Sequence, residues 1–133
     1  MKTQNFSKIT FLFLLIGFIN INLVKAQENK VYVKADKGPY YLGGTPALKK
    51  FFKNNLKYPA EALAAKKTGV VEVSFIIENT GVITNIEVTQ EIGYGCDEEA
   101  ARVVRKMPKW APGTVNGKAV RVLHKISINF PFE

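Results

Sequence analysis

The residues here that could do chemistry are few: one thiol, Cys96, one imidazole, His124, and one run of acids, Asp97-Glu98-Glu99. A Cys–His pair would use the imidazole as the base that makes a thiolate nucleophile, and distance along the chain does not decide whether the two meet. Hydrolysis or group transfer also needs an orienting group, a pair of tuned carboxylates or a set of metal ligands in one place. No such pattern accompanies Cys96 or His124. The three acids follow a Gly-rich break and open a helical pattern, where capping and compensation of the helix dipole already account for them. Gly43-Gly44 and Gly93-Tyr94-Gly95 lack the strand-to-helix context that a phosphate-cradling loop requires. The expectation is a protein that is not an enzyme and holds no metal or cofactor. Cys96 then reads as a small apolar plug, with dimerisation or redox sensing as the alternatives. His124 reads as a core or rim histidine and Trp110 as a lid over one end of the core, a ligand-stacking role being its alternative.

The elements that would position these groups begin after a separable leader. Lys2 and Lys8 precede an apolar run from Ile9, and Leu23-Val24-Lys25-Ala26 leads to Gln27. That is the order of a secretory signal peptide, residues 1–26. The run from Ile9 to Val24, broken by Asn20 and Asn22, is shorter than the roughly 20 apolar residues of a membrane span. Without Lys2, Lys8 and Lys25 the chain keeps 16 bases against 11 acids, a net charge of +5. Export makes nucleic acid an unsuitable partner. The dense basic group, Lys49, Lys50, Lys53 and Lys57, reads as a solvated helix face, with an acidic partner or membrane surface as the alternative. One cysteine permits no internal disulfide, so stability rests on an apolar core.

The remaining length suits one domain, 45–133, preceded by a short strand and linker segment, 27–44. Val31-Tyr32-Val33 is a strand candidate. Thr45 as N-cap and Pro46 at the first helical position start a helix to about Leu56, with Phe51 and Phe52 on its apolar side. Tyr58-Pro59 starts a second, short helix with Ala60, Leu63 and Ala64 as its stripe. From Val70 the period becomes two, placing Val71, Val73, Phe75 and Ile77 inward. Glu78-Asn79-Thr80-Gly81 is a hairpin loop that ends on a glycine. The return strand sets Val82, Ile86 and Val88 against Asn85, Glu87 and Thr89, and its polarity suits an outer position in the sheet. Asp97 caps the next helix, whose buried side is Ala100, Val103 or Val104, and Met107, and Pro108 stops it. After the turn at Asn116-Gly117 a long alternating strand carries Val120, Val122, His124, Ile126, Ile128 and Phe130 on one face. Arg121, Leu123, Lys125, Ser127 and Asn129 take the other.

In this order, the pieces resemble the C-terminal domain of TonB-type energy transducers, in the version common among Bacteroidetes-like bacteria. The pieces that carry the resemblance are Tyr41-Leu42-Gly43-Gly44, Asn55-Leu56-Lys57-Tyr58-Pro59, Gly69 with Val71-Val73-Phe75, Gly81, Asp97-Glu98-Glu99-Ala100, and Met107-Pro108-Lys109-Trp110-Ala111-Pro112-Gly113 followed by Gly117 and the last strand. The resemblance implies an α+β fold, helices packed on one face of a three-stranded antiparallel sheet. It also implies a partner, an outer-membrane TonB-dependent transporter or other envelope protein, whose extended segment joins the last strand. Carried onto this chain, the acceptor is Val120 to Phe130, with Val120, Arg121, Val122, Leu123, Lys125, Ser127 and Asn129 at the guest. Asn54, Asn55, Tyr58 and Pro59 match the region that approaches the transporter.

A complete transducer of this kind has a long membrane anchor that meets an inner-membrane motor complex, and an extended proline-rich linker. Here the leader reads as cleavable, giving a periplasmic protein. Gln27 to Gly44 is 18 residues, spanning about 60 Å at most when fully extended. Leu42 also stands where the family would carry proline. If the leader stays, the domain is anchored in the inner membrane facing the periplasm and the motor becomes a partner. The alternative to transport is a stand-alone envelope scaffold, or a homodimer in which the free sheet edge pairs with its own copy.

Overall fold

The computed structural model describes residues 28–131, so the leader expected at 1–26 lies outside the described residues. Residues from Val31 onward form one compact unit. Its elements are β1 (Val31–Tyr32), α1 (Gly44–Asn55), α2 (Ala60–Ala64), β2 (Gly69–Ile77), β3 (Ile83–Gln90), α3 (Cys96–Arg105), β4 (Gly113–Val115) and β5 (Lys118–Phe130).

The α+β class holds, but the three-stranded antiparallel sheet needs correcting. Five strands are present in a mixed sheet: the order is β1-β5-β2-β3, β4 also pairs with β5, and β1 runs parallel to β5. A parallel pair cannot be read from a short apolar triplet, because its partner is ninety residues away in the chain. The antiparallel centre β5-β2-β3 is the part that alternation made legible.

Val71, Val73, Phe75 and Ile77 are fully buried and meet Ile128 and Phe130 of β5 in one core. Phe52 of α1, Ala62 of α2 and Cys96, Ala100, Val103 and Val104 of α3 close that core from the helical side. Burying such side chains stabilises by roughly 1.5–3 kcal/mol each for Val, Ile and Phe. Trp110 fills one end, with Tyr41 at 5.5 Å, Phe75 at 5.6 Å and His124 at 5.1 Å between ring centroids.

Local chemistry departs from expectation in four places. α1 is entered through Gly43, at φ 91°, in place of Thr45, and Thr45 lies inside the helix. The short helix, five residues long, buries Ala62, while Leu63 is 63% exposed and the expected stripe of Ala60, Leu63 and Ala64 is not its buried side. Asp97 does not cap its own helix; Gly95 holds that place, and the Asp97 carboxylate accepts the backbone N–H groups of Ile92 and Gly93 at 2.8 Å each. In β3, Ile83 joins Ile86 and Val88 against the core, and Val82 is exposed. Register shifts against β2 cause this change of phase, and Asn85, at φ 50°, sits in one of them. An extra residue in a strand moves every later side chain to the other face.

Candidate partner-binding edge

β5 carries most of the expected site residues, and its two edges differ. On the inner edge it pairs with β2 from Gly69↔Phe130 to Ile77↔Val122 without a register shift. On the outer edge β1 takes Arg121 and Val122, opposite Val31 and Tyr32. β4 pairs with Lys118, Ala119 and Val120 through the turn at Asn116-Gly117. Among the described residues no strand pairs with the outer edge from Leu123 to Phe130. Val120, Arg121 and Val122 are thus engaged within the molecule, whereas Leu123, Lys125, Ser127 and Asn129 lie along the unpaired stretch.

The sheet has a second outer edge, β3, but that one is a poor template. Two register shifts interrupt its pairing with β2, and bulges both turn main-chain groups out of line and increase the local twist. Glu87 adds charge on its exposed side. β5 is regular and therefore presents the straighter row of N–H and C=O groups.

Side chains brace β5 from outside the core. Glu78 accepts the Arg121 Nε–H at 2.6 Å and an Nη2–H at 3.1 Å, and its Oε1 also accepts the Thr84 hydroxyl at 2.6 Å. These hydrogen bonds, Arg121's foremost, hold the Glu78 carboxyl below the usual carboxylate range. Three strands are thereby tied at the end where β5 begins. Further along, Lys125 Nζ stands 3.4 Å from the Glu72 carboxylate, a loose and exposed pair worth little by itself.

The second set, Asn54 to Pro59, is positioned by α3. Glu99 Oε1 accepts the Lys57 backbone N–H at 2.7 Å, and the Asn55 carbonyl accepts an Arg102 Nη2–H at 2.9 Å. Arg102 also holds Glu99 through Nε at 2.7 Å, so one ion pair grips two backbone groups of the connection. Arg102, chiefly, lowers the Glu99 carboxyl below its ordinary range. Tyr58 then reaches the end of β5: its ring lies 6.4 Å from that of Phe130, and its hydroxyl donates to the Lys67 carbonyl. Asn55 turns its side-chain amide back to the Phe51 carbonyl at 2.8 Å, and Asn54 is exposed. Of this set, Tyr58 is the member that the fold brings to β5. Glu78, Glu99 and Arg102 were not among the expected site residues; the contacts they make to β5 and to the α1–α2 connection are separated by more than forty positions, and no local spacing signals them.

The two groups that could have made an enzyme sit apart in function. Cys96 is fully buried, and burial, reinforced by Asp97, pushes its thiol up, which disfavours a nucleophile. His124 packs against Trp110 and Phe75, and burial pushes its imidazole below the ordinary value. Neither hydrogen-bonds to the other among the described residues. No group of three His, Cys, Asp or Glu there could hold a metal ion. Among the described residues no helix is long and apolar enough to cross a membrane.

A family model described as the C-terminal region of the Gram-negative bacterial TonB protein matches residues 54–132. No curated protein and no solved structure gives a match.

Proposed function

We propose, from the premise that this chain belongs to the Gram-negative bacterial TonB C-terminal family, that it is a periplasmic domain which binds extended segments of outer-membrane transporters by strand addition. The observation that carries this reading is the regular outer edge of β5 from Leu123 to Phe130, with which no strand pairs among the described residues. Along such an edge every second residue offers a backbone N–H and C=O to a guest, and alternate side chains choose among guests. Each ladder bond contributes about 0.5–1.5 kcal/mol net, and ordering the guest costs part of that. The resulting affinity is modest and reversible, which suits a protein that must engage a transporter and let go during energy-dependent transport across the outer membrane. Family membership points the same way, towards envelope binding and away from catalysis.

Peptides copied from the extended periplasmic segments of outer-membrane transporters, titrated into the full chain, test this reading through the backbone amide signals. Progressive shifts along Leu123 to Phe130 are expected. Unchanged signals there at millimolar peptide would overturn it. A tight homodimer in sedimentation, with those amides already protected, would instead favour a scaffold that pairs with its own copy.

A further inference from the structure

We infer that β1 fixes the register and maximum length of the guest strand, confining it to the eight residues Leu123–Phe130 of β5; this rests on the strand-addition reading above. Two ends bound that stretch. At one, Val31 and Tyr32 already occupy the positions opposite Arg121 and Val122. At the other, β5 ends at Phe130 and Pro131 follows, which has no N–H to offer a ladder. Between them lies about 26 Å of strand at ~3.3 Å per residue.

A two-residue strand would be a weak stop if it were free to leave, so what matters is how its continuation is held. Asp36 Oδ2 accepts the Asn116 N–H at 2.9 Å. Lys37 and Thr114 exchange two backbone hydrogen bonds, 3.2 and 2.9 Å, and Tyr40 and Ala111 exchange another two, 3.1 and 2.9 Å. These bonds tether β1 beside its partner, so its pairing is intramolecular and favoured over a guest's by a high effective concentration. Val33, the residue directly after β1, is 82% exposed and leaves the sheet. A guest therefore meets the end of an occupied ladder at Val122 and starts at Leu123. The partner class that fits is a short extended segment of no more than eight paired residues, with apolar side chains at the alternate positions beside Ile126 and Ile128 and polar ones beside Lys125 and Ser127.

The probes are capped synthetic peptides of alternating Val and Asp, five, eight and twelve residues long, titrated into the full chain with amide signals followed. From five to eight residues affinity rises about tenfold, as added ladder bonds dictate; from eight to twelve it changes less than twofold. In the unmodified protein the Arg121 and Val122 amides keep their exchange rates, while every second amide from Leu123 onward, those facing away from β2, slows. In the Val31→Gly, Tyr32→Gly double variant, which keeps the Asp36, Lys37 and Tyr40 anchors, the twelve-residue peptide gains about tenfold over the eight-residue one and reaches Arg121 and Val122. The inference falls if the twelve-residue peptide outbinds the eight-residue one in the unmodified protein, if guests slow Arg121 and Val122 there, or if the folded variant keeps the same length limit. Should no peptide perturb any β5 amide, the strand-addition reading fails and this inference with it. Binding along β5 with the wrong length dependence fails the inference alone. The exchange map of the unmodified protein decides the matter even if the variant does not fold.

Discussion

Gly81 and Trp110 touch backbone to backbone. The Gly81 carbonyl accepts the Trp110 N–H at 2.9 Å, and a Cβ placed on Gly81 would stand 2.0 Å from the Trp110 carbonyl oxygen. Gly81 also holds φ 87°, the left-handed region. Hairpin turn and aromatic end of the core are thus one joint. Gly81→Ala should therefore cost more than a turn glycine normally does: about 1–2 kcal/mol for the backbone conformation, plus the displacement of Trp110. A thermal unfolding scan should show Tm lowered by on the order of 10 °C, and Gly117→Ala, whose φ is 77° but which has open space around it, should lose less.

Trp110 is 4% exposed and its indole N–H has no hydrogen-bond partner among the described residues. An unsatisfied buried donor costs roughly 1–3 kcal/mol. Trp110→Phe removes that donor and keeps an aromatic face for Tyr41 and Phe75, so denaturant unfolding should show a loss of no more than about 1 kcal/mol. Trp110→Ala, which leaves a cavity, should lose about 3–5 kcal/mol.

His124 supplies a pH dependence whose sign is fixed. Burial lowers its folded-state value below the ordinary 6.5, so the unfolded chain takes up the proton first. The stability contributed by neutral His124 is complete above about pH 6.5, declines as pH falls from there towards the folded-state value, and is gone below it. Unfolding measured between pH 8 and pH 5 should show this decline in the native protein. In His124→Phe it should flatten over the same window.

Arg102 should matter to the connection between α1 and α2 more than its surface position suggests, since it binds Asn55 and orients Glu99 on Lys57. Arg102→Ala should loosen this connection locally with little effect on global stability, because the guanidinium is exposed to solvent that screens its ion pair. Hydrogen exchange at the Lys57 amide should quicken severalfold, while exchange in β2 stays unchanged. Arg105→Ala, on the exposed side of the same helix, should leave Lys57 protected.

Lowering the pH further should release the brace at the start of β5. Glu78 sits below its ordinary value through Arg121 and Thr84, so its contribution is present above about pH 4.5 and is lost as pH falls through the folded-state value. Glu78→Gln should remove that acid step from the unfolding profile and speed exchange at Arg121.

What the sequence alone determined is whatever depends on neighbours within one element. Alternation from Val71 to Ile77 and from Val122 to Phe130 named the residues that meet the core, because a strand's side chains switch sides at every residue, but it did not show that Ser74 and Ile76 on the other face of β2 are buried as well. The apolar spacing of Ala100, Val103 or Val104, and Met107 did the same for the last helix, where both valines prove buried, and the glycine of the hairpin was legible from its turn chemistry. Tertiary structure alone decided which row of backbone groups stays open. Val31–Tyr32 settles beside Arg121, Glu99 and Arg102 grip a connection more than forty residues away, and Asn85 bulges β3 out of register. Those outcomes depend on hydrogen bonds to main-chain groups of distant segments, and main-chain groups are nearly alike at every residue, so no local pattern of side chains records them.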